Sequence, residues 1–210
     1  MESTSLENLK EITYKLSEQV DLLLKEMDKM AIQVCSNPEI KEILGKAEAY
    51  HKNNLDNGNT NFFHYNLVDA GRVHETLISI SGLNIASGRI SIYNNFGEYI
   101  SIGMYTDLST TIEERLKSKE HEDLYNKVTE QKGGKFFISV HEDFWSKLND
   151  EKIISLLREI RDISENKSYG VVEIQKAYSK LEEICTFNNN DKIKTYLITE
   201  FGDLVYPASN

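Results

Sequence analysis

The stretch RISIYNNFGEYISIG, residues 89–103, has the clearest fold signal in this chain of 210 residues. Isoleucines alternate with polar residues on both sides of residues 94–97, where two asparagines and a glycine are typical of a tight turn. A period of two places the isoleucines on one face of each strand, and the turn reverses the chain. The sequence therefore predicts a β-hairpin with one buried face.

Further segments extend this hairpin into a sheet. Residues 135–141 (KFFISVH) alternate in the same way, and residues 169–175 (YGVVEIQ) form a short apolar strand. Between them, residues 153–163 have apolar side chains at helical spacing, although their β-branched start after Asn149 and Asp150 also fits a strand. The period alone favours a helix there.

The N-terminal segment, residues 6–34, is amphipathic. Its apolar residues recur at spacings of three and four: Leu9, Ile12, Leu16, Val20, Leu23, Met27, Met30 and Val34. This predicts one helix of about 43 Å, which is longer than one face of a small domain can cover, so part of the stripe should stay uncovered by its own chain. Two roles fit: a core helix, or a stalk that forms a homodimer with its symmetry mate. Shorter helices are predicted over residues 39–49, after Asn37 as N-cap, and over residues 68–80 and 177–184.

The hairpin is repeated near the C-terminus. Residues 195–206 (TYLITEFGDLVY) align with the first hairpin when Phe201 and Gly202 are placed over Phe96 and Gly97, a displacement of 105 residues. A predicted helix precedes each hairpin. The repeat indicates two modules of one type, of which the second is incomplete.

Composition excludes several classes of function. Lys and Arg number 24 against 34 Asp and Glu, and a net charge of −10 lacks the cationic field that nucleic acid requires. There is no Walker loop, GxSxG or HExxH motif, the five histidines show no metal-ligand spacing, and the two cysteines form no CxxC pair. Neither an enzyme nor a metal or cofactor site is predicted.

Two near copies combine groups that suit a ligand site. His121-Glu-Asp-Leu-Tyr125 and His141-Glu-Asp-Phe-Trp145 each offer an imidazole, two carboxylates and an aromatic ring. A pocket needs aromatic walls together with a few polar groups for orientation. The same residues also fit turns and core aromatics.

The order of these features resembles the double Cache extracytoplasmic sensor domain of bacterial two-component sensor histidine kinases. The resemblance covers residues 6–207 and rests on the long helix, ISIYNNFG (90–97), the glycine pair before an aromatic strand (133–134), RxxRD (158–162), GVVEI (170–174) and EFGDLVY (200–206). It implies an α+β fold of two stacked PAS-like modules, each an antiparallel sheet flanked by helices, beside one long N-terminal helix. It also implies that residues 153–162 form a central strand.

The resemblance divides the chain into three parts. Residues 1–50 are the long helix and a short second helix, residues 51–175 the membrane-distal PAS-like module, and residues 176–210 a linker helix with the first hairpin of a membrane-proximal module. The chain would then be an extracellular fragment of a membrane-anchored receptor whose distal module binds a small molecule.

The resemblance also suggests where the ligand binds. Amino-acid-sensing members have Tyr-x-Asp after the strand that corresponds to residues 135–140, and His141 and Asp143 occupy those positions in this chain. The expected ligand-binding residues are Tyr105, Asp107, Tyr125, His141, Asp143, Trp145 and Arg158. Arg158 either meets an anion or pairs with a neighbouring carboxylate. The Arg-x-Trp-Tyr clamp of the family is absent, and Gln175 replaces its strand-ending Asp, which disfavours a free α-amino acid.

Three functions remain open at this point. The first is the sensor domain of a histidine kinase, which passes a conformational signal through its helices. The second is the sensor domain of a chemotaxis receptor. The third is a soluble cytoplasmic protein that dimerises through its N-terminal helix and binds no small molecule.

Overall fold

The computed structural model describes residues 2–53, 61–82, 86, 88–104, 118–143, 152–186, 193–200 and 202–208, without the side chains of residues 2–5. The helices are α1 (Glu2–Ser36), α2 (Pro38–Asn53), α3 (Phe62–Tyr65), α4 (Leu67–Ser81), α5 (Lys119–Glu130) and α6 (Tyr178–Thr186). The strands are β1 (Gly88–Asn94), β2 (Tyr99–Gly103), β3 (Lys135–Glu142), β4 (Lys152–Asp162), β5 (Lys167–Ala177), β6 (Leu197–Ile198) and β7 (Leu204–Tyr206).

Strands β1 to β5 form one antiparallel sheet in the order β2-β1-β5-β4-β3, which confirms the predicted α+β fold. Strand β4 shows that the helical period of its residues was misleading. Residues 153–157 are all buried because both faces of this strand are covered, so its apolar residues do not alternate. The central strand implied by the resemblance is the correct interpretation.

One face of the sheet forms the main hydrophobic core. Its side chains from β1, β4 and β5, including Ile92, Leu156 and Val172, are buried against residues of α1, α2 and α4 such as Met27 and Leu77. This apolar face fixes how the long helix lies on the sheet.

Helix α1 is continuous, as predicted, and its apolar stripe is only partly covered. Met27 and Val34 are fully buried, whereas Leu6 and Leu9 are 55% and 43% exposed. Between these two parts, Val20 packs into a second, smaller core with α6 and β7. A single helix therefore contacts both cores. Within the described residues, no helix is long and apolar enough to cross a membrane.

The turns of the two hairpins have the same hydrogen bonds. In the first, the backbone N–H of Asn94 donates to the carbonyl of Glu98 at 3.0 Å, and in the second Thr199 donates to Asp203 at 2.9 Å. In both turns the glycine before the acidic residue has a positive φ and donates to the residue that opens the turn. Residues 105 positions apart in the sequence therefore make the same backbone hydrogen bonds in the two turns.

Candidate functional site: a buried polar face of the sheet

The second face of the sheet is polar and also buried. We call it the polar face and define it by six of the polar residues of β1, β4 and β5 that are at most 6% exposed: Arg89, Ser91, Tyr93, Ser155, Glu173 and Gln175. They share one side because they are register partners or alternate along their strands. Burial of polar groups costs free energy unless they are hydrogen-bonded, so each group on this face needs a partner.

A continuous chain of hydrogen bonds runs along the polar face. The Arg89 guanidinium donates through Nη1 and Nη2 to the two carboxylate oxygens of Asp143, at 2.8 and 2.9 Å. Its Nη1 also donates to Oε1 of Gln175 at 2.8 Å. Gln175 Nε2 donates to Glu173 Oε1 at 2.9 Å, and the Tyr93 hydroxyl donates to Glu173 Oε2 at 2.6 Å. Five side chains are thereby held in defined orientations.

Tyr93 stays a neutral donor over the whole physiological range. Its hydroxyl is buried and lies against the Glu173 carboxylate, and both effects raise the pKa of Tyr93 well above 10.0. The phenol of Tyr93 therefore keeps its proton. Tyr93 presents its ring to the site while its hydroxyl holds Glu173.

Helix α5 covers one end of this face. Val128 of α5 packs on Leu157 and Val171, which lie on the same side of the sheet as the polar face. The ring of His121 meets the ring of Tyr93 edge to face, with 5.3 Å between their centroids. Tyr125 donates its hydroxyl to Oδ1 of Asn95, and burial raises its pKa to about 12.

The structure places three of the expected ligand-binding residues on this side of the sheet. Asp143 binds Arg89, and His141 Nε2 lies 2.9 Å from the Ser155 hydroxyl at the same end of the sheet. Tyr125 lies at the opposite end, beside His121. These residues are distributed along the polar face from one end to the other, and they do not converge on one point.

Arg158 lies on the other face of the sheet. Its register partner on β5 is Val172, whose side chain belongs to the main core. The Arg158 guanidinium donates to Asp28 Oδ1 of α1 at 2.5 Å and to the carbonyl of Gly133. Alternation along β4 directs it towards α1, so it does not join Asp143 and His141.

The remaining expected residues, Tyr105, Asp107 and Trp145, lie outside the described residues. Sequence reasoning missed Arg89, Tyr93 and Glu173, because polar residues that alternate with apolar ones along a hairpin ordinarily face solvent. All seven residues of β1 are in fact buried. The available signal was the arginine at the start of an otherwise uncharged strand.

No family model matches this chain, and no curated protein matches it. Among solved structures, it is similar to the ligand-binding domain of the Campylobacter jejuni chemoreceptor Tlp3 in complex with 4-methylisoleucine, with a TM-score of 0.58 and 14% identity over 97% of this chain and 69% of that one. The ligand-binding domain of the Pseudomonas aeruginosa chemoreceptor PctB in complex with L-Gln aligns with a TM-score of 0.49 and 13% identity, over 89% of this chain and 68% of that one. The likeness to Tlp3 shows that this chain has the fold of Cache-type sensor domains.

Proposed function

We propose that this chain is the extracellular sensor domain of a transmembrane receptor and that it binds a small molecule at the polar face. The observation that supports this most directly is the row of buried, hydrogen-bonded side chains from Asp143 to Tyr93. It lies on one face of a sheet whose other face already provides the main hydrophobic core. A sheet needs no such row for stability, because apolar side chains of similar volume cost less to bury. Aimed polar groups over a rigid sheet are what a ligand requires for orientation.

The proposed site lies in the unit of residues 51–175. The described part of the chain supplies Arg89, Tyr93, His141, Asp143 and Glu173. Tyr105, Asp107 and Trp145 remain proposed lining residues, since they follow β2 and β3 directly in the chain. Residues 1–50 and 176–210 are proposed to transmit the signal, the latter as the start of a second module.

Helix α1 is the proposed route of that signal. It packs on β4 and β5 of the sheet and also on α6 of the smaller core. A ligand that favours one position of the sheet against α1 would shift the population between two helix arrangements. The exposed Leu6 and Leu9 are where we propose that a second copy of α1 packs in a homodimer.

Two kinds of parent receptor fit this proposal. The order of motifs in the sequence resembles sensor histidine kinases, whereas a solved structure of similar fold, that of Tlp3, comes from a chemoreceptor. The chemoreceptor alternative fits at least as well. The output domain encoded downstream in the same gene distinguishes them: a kinase core with its phosphoacceptor histidine, or a methyl-accepting signalling coil.

The proposal is tested by a thermal-shift screen with amino acids, amines, organic acids and sugars. A ligand at a hundred times its dissociation constant stabilises the folded state by about 2.7 kcal/mol. Ligand affinity should fall in Tyr93→Phe or His141→Gln, and it should not change in the matched controls Tyr65→Phe and His74→Gln, which alter exposed residues. If no compound stabilises the domain, or if neither site variant changes affinity, the proposed site is wrong.

A further inference from the structure

The buried carboxylates of the described residues are not equivalent. Four are at most 6% exposed: Glu98, Asp143, Glu159 and Glu173. Three of them have a basic partner, in the pairs Asp143–Arg89 at 2.8 Å, Glu98–His51 at 2.9 Å and Glu159–Arg161 at 3.4 Å. Within the described part of the chain, Glu173 alone has no Lys, Arg or His nitrogen within 4.0 Å.

The hydrogen bonds of Glu173 do not replace a cation. Both of its donors, the Gln175 amide and the Tyr93 hydroxyl, are neutral. A carboxylate has about four lone-pair positions, so these two bonds leave others available. A buried charge without a counter-charge raises the free energy of the folded protein. A ligand that brings a positive charge to Glu173 removes this cost, and the free energy released contributes to binding.

The surroundings of Glu173 also suit a cation. The Tyr93 ring, in contact with the His121 ring at 5.3 Å, lies beside the carboxylate, and aromatic faces attract ammonium groups. Across the strands, the hydroxyls of Ser91 and Ser101 lie 2.9 Å apart, next to the register position of Glu173. These groups would hold the polar or apolar remainder of a small amine.

The other charges of the polar face cancel within the protein. Arg89 and Asp143 neutralise each other through two hydrogen bonds, and Glu159, on the same side of β4, lies 3.4 Å from Arg161. A free carboxylate on the ligand would have to compete with Asp143 for Arg89, and would lie near Glu173 as a like charge. Among the six residues that define the polar face, Glu173 is therefore the one charge without a partner of opposite sign.

We infer that the ligand is a small cationic amine without a carboxylate, and that Glu173 receives its ammonium group. This inference rests on the proposed function and names the ligand class of the same site. It distinguishes this chain from a domain that recognises the zwitterionic head of a free amino acid.

The experiment uses probes of similar size and different charge. Butylamine, putrescine and choline are the cations, butyrate the anion, L-valine the zwitterion and butanol the neutral compound. We expect at least one cation to raise the melting temperature, with no effect of the other three classes. In Glu173→Gln, affinity for that cation, measured by calorimetry, should fall about ten- to a hundredfold. The matched control is Glu182→Gln, an exposed carboxylate on α6, which should leave affinity unchanged.

The unliganded variants supply a second readout. Because Glu173→Gln removes an uncompensated buried charge, its melting temperature without ligand should equal or exceed that of the parent protein. A fall larger than in Glu182→Gln would show that Glu173 is a structural residue and would overturn the inference.

The results with these probes distinguish a failure of the inference from a failure of the proposed function. Stabilisation by butyrate, L-valine or butanol but by no cation overturns the inference and leaves the proposed function intact. Cation binding that survives Glu173→Gln also overturns it. If no probe of any class binds and the wider screen gives none, the proposed function fails together with the inference.

Discussion

Arg89 and Asp143 are 54 residues apart in the chain and are joined by two hydrogen bonds of 2.8 and 2.9 Å. Arg89 lies near the start of β1 and Asp143 directly follows β3, and these strands are separated in the sheet by β5 and β4. Both side chains are almost wholly buried. The pair therefore reaches across the polar face and connects its two sides.

Removal of one partner of this pair should be costly. In Arg89→Met the Asp143 carboxylate loses its guanidinium, and we expect the free energy of unfolding to fall by about 3–5 kcal/mol in urea denaturation. The double variant Arg89→Met/Asp143→Leu should recover most of this loss, because it leaves no unpaired charge. The control is Arg72→Met, whose side chain is 42% exposed and pairs with Glu39, and which should lose only about 0–1 kcal/mol. Equal losses at Arg72 and Arg89 would contradict the prediction.

Arg158 should affect stability and not ligand binding. It joins β4 to Asp28 of α1 with side chains only 16% and 22% exposed, so Arg158→Met should lower the free energy of unfolding by about 1–3 kcal/mol. Lys135→Met is the matched control, since this exposed lysine lies 3.9 Å from the same carboxylate and should contribute less than about 0.5 kcal/mol. A change of ligand affinity in Arg158→Met, measured by calorimetry, would return this residue to the site.

Replacement of Gly170 and of Gly71 by alanine should change the free energy of unfolding in opposite directions. Gly170 on β5 has φ +152°, and a Cβ there would lie 2.1 Å from the carbonyl oxygen of Tyr93, so Gly170→Ala should cost about 1–3 kcal/mol or prevent folding. Gly71 lies in α4, where a Cβ would have no atom within 4 Å beyond its own helix backbone, and Gly71→Ala should stabilise by about 0.5–1 kcal/mol. Urea denaturation of both variants tests the pair, and a stable Gly170→Ala protein would refute the close strand approach.

Cys35 should be unreactive in the folded protein. Burial raises its pKa from 9.0 to about 12, so in Cys185→Ala at pH 8 its reaction with an aromatic disulfide reagent should be about a thousandfold slower than in urea. The raised pKa also makes folding favour the protonated thiol. This contribution to stability is complete below about pH 9 and is lost as the pH rises towards 12, because the unfolded state releases its proton first. Rapid labelling of the folded protein at pH 8 would show that Cys35 is accessible.

The sequence by itself determined the elements whose signals are local. The amphipathic period predicted α1 as one helix, and the caps and turns predicted α2 and the first hairpin, where Asn37 accepts from the backbone N–H groups of Glu39 and Ile40 at the start of α2. The same turn chemistry revealed the second hairpin. These features depend on neighbours within a few residues, which is why composition and spacing are sufficient to predict them.

Only the tertiary structure decided the identity of β4 and the nature of the polar face. The period of β4 is ambiguous because both of its faces are buried, and burial of the second face depends on what packs over it. For the same reason Arg89 and Glu173 have the sequence pattern of solvent-facing residues, although they are buried partners in one hydrogen-bonded row. Whether a buried charge has a counter-charge depends on residues distant in the chain. Asp143, for example, is paired with Arg89, and local sequence contains no information about such contacts.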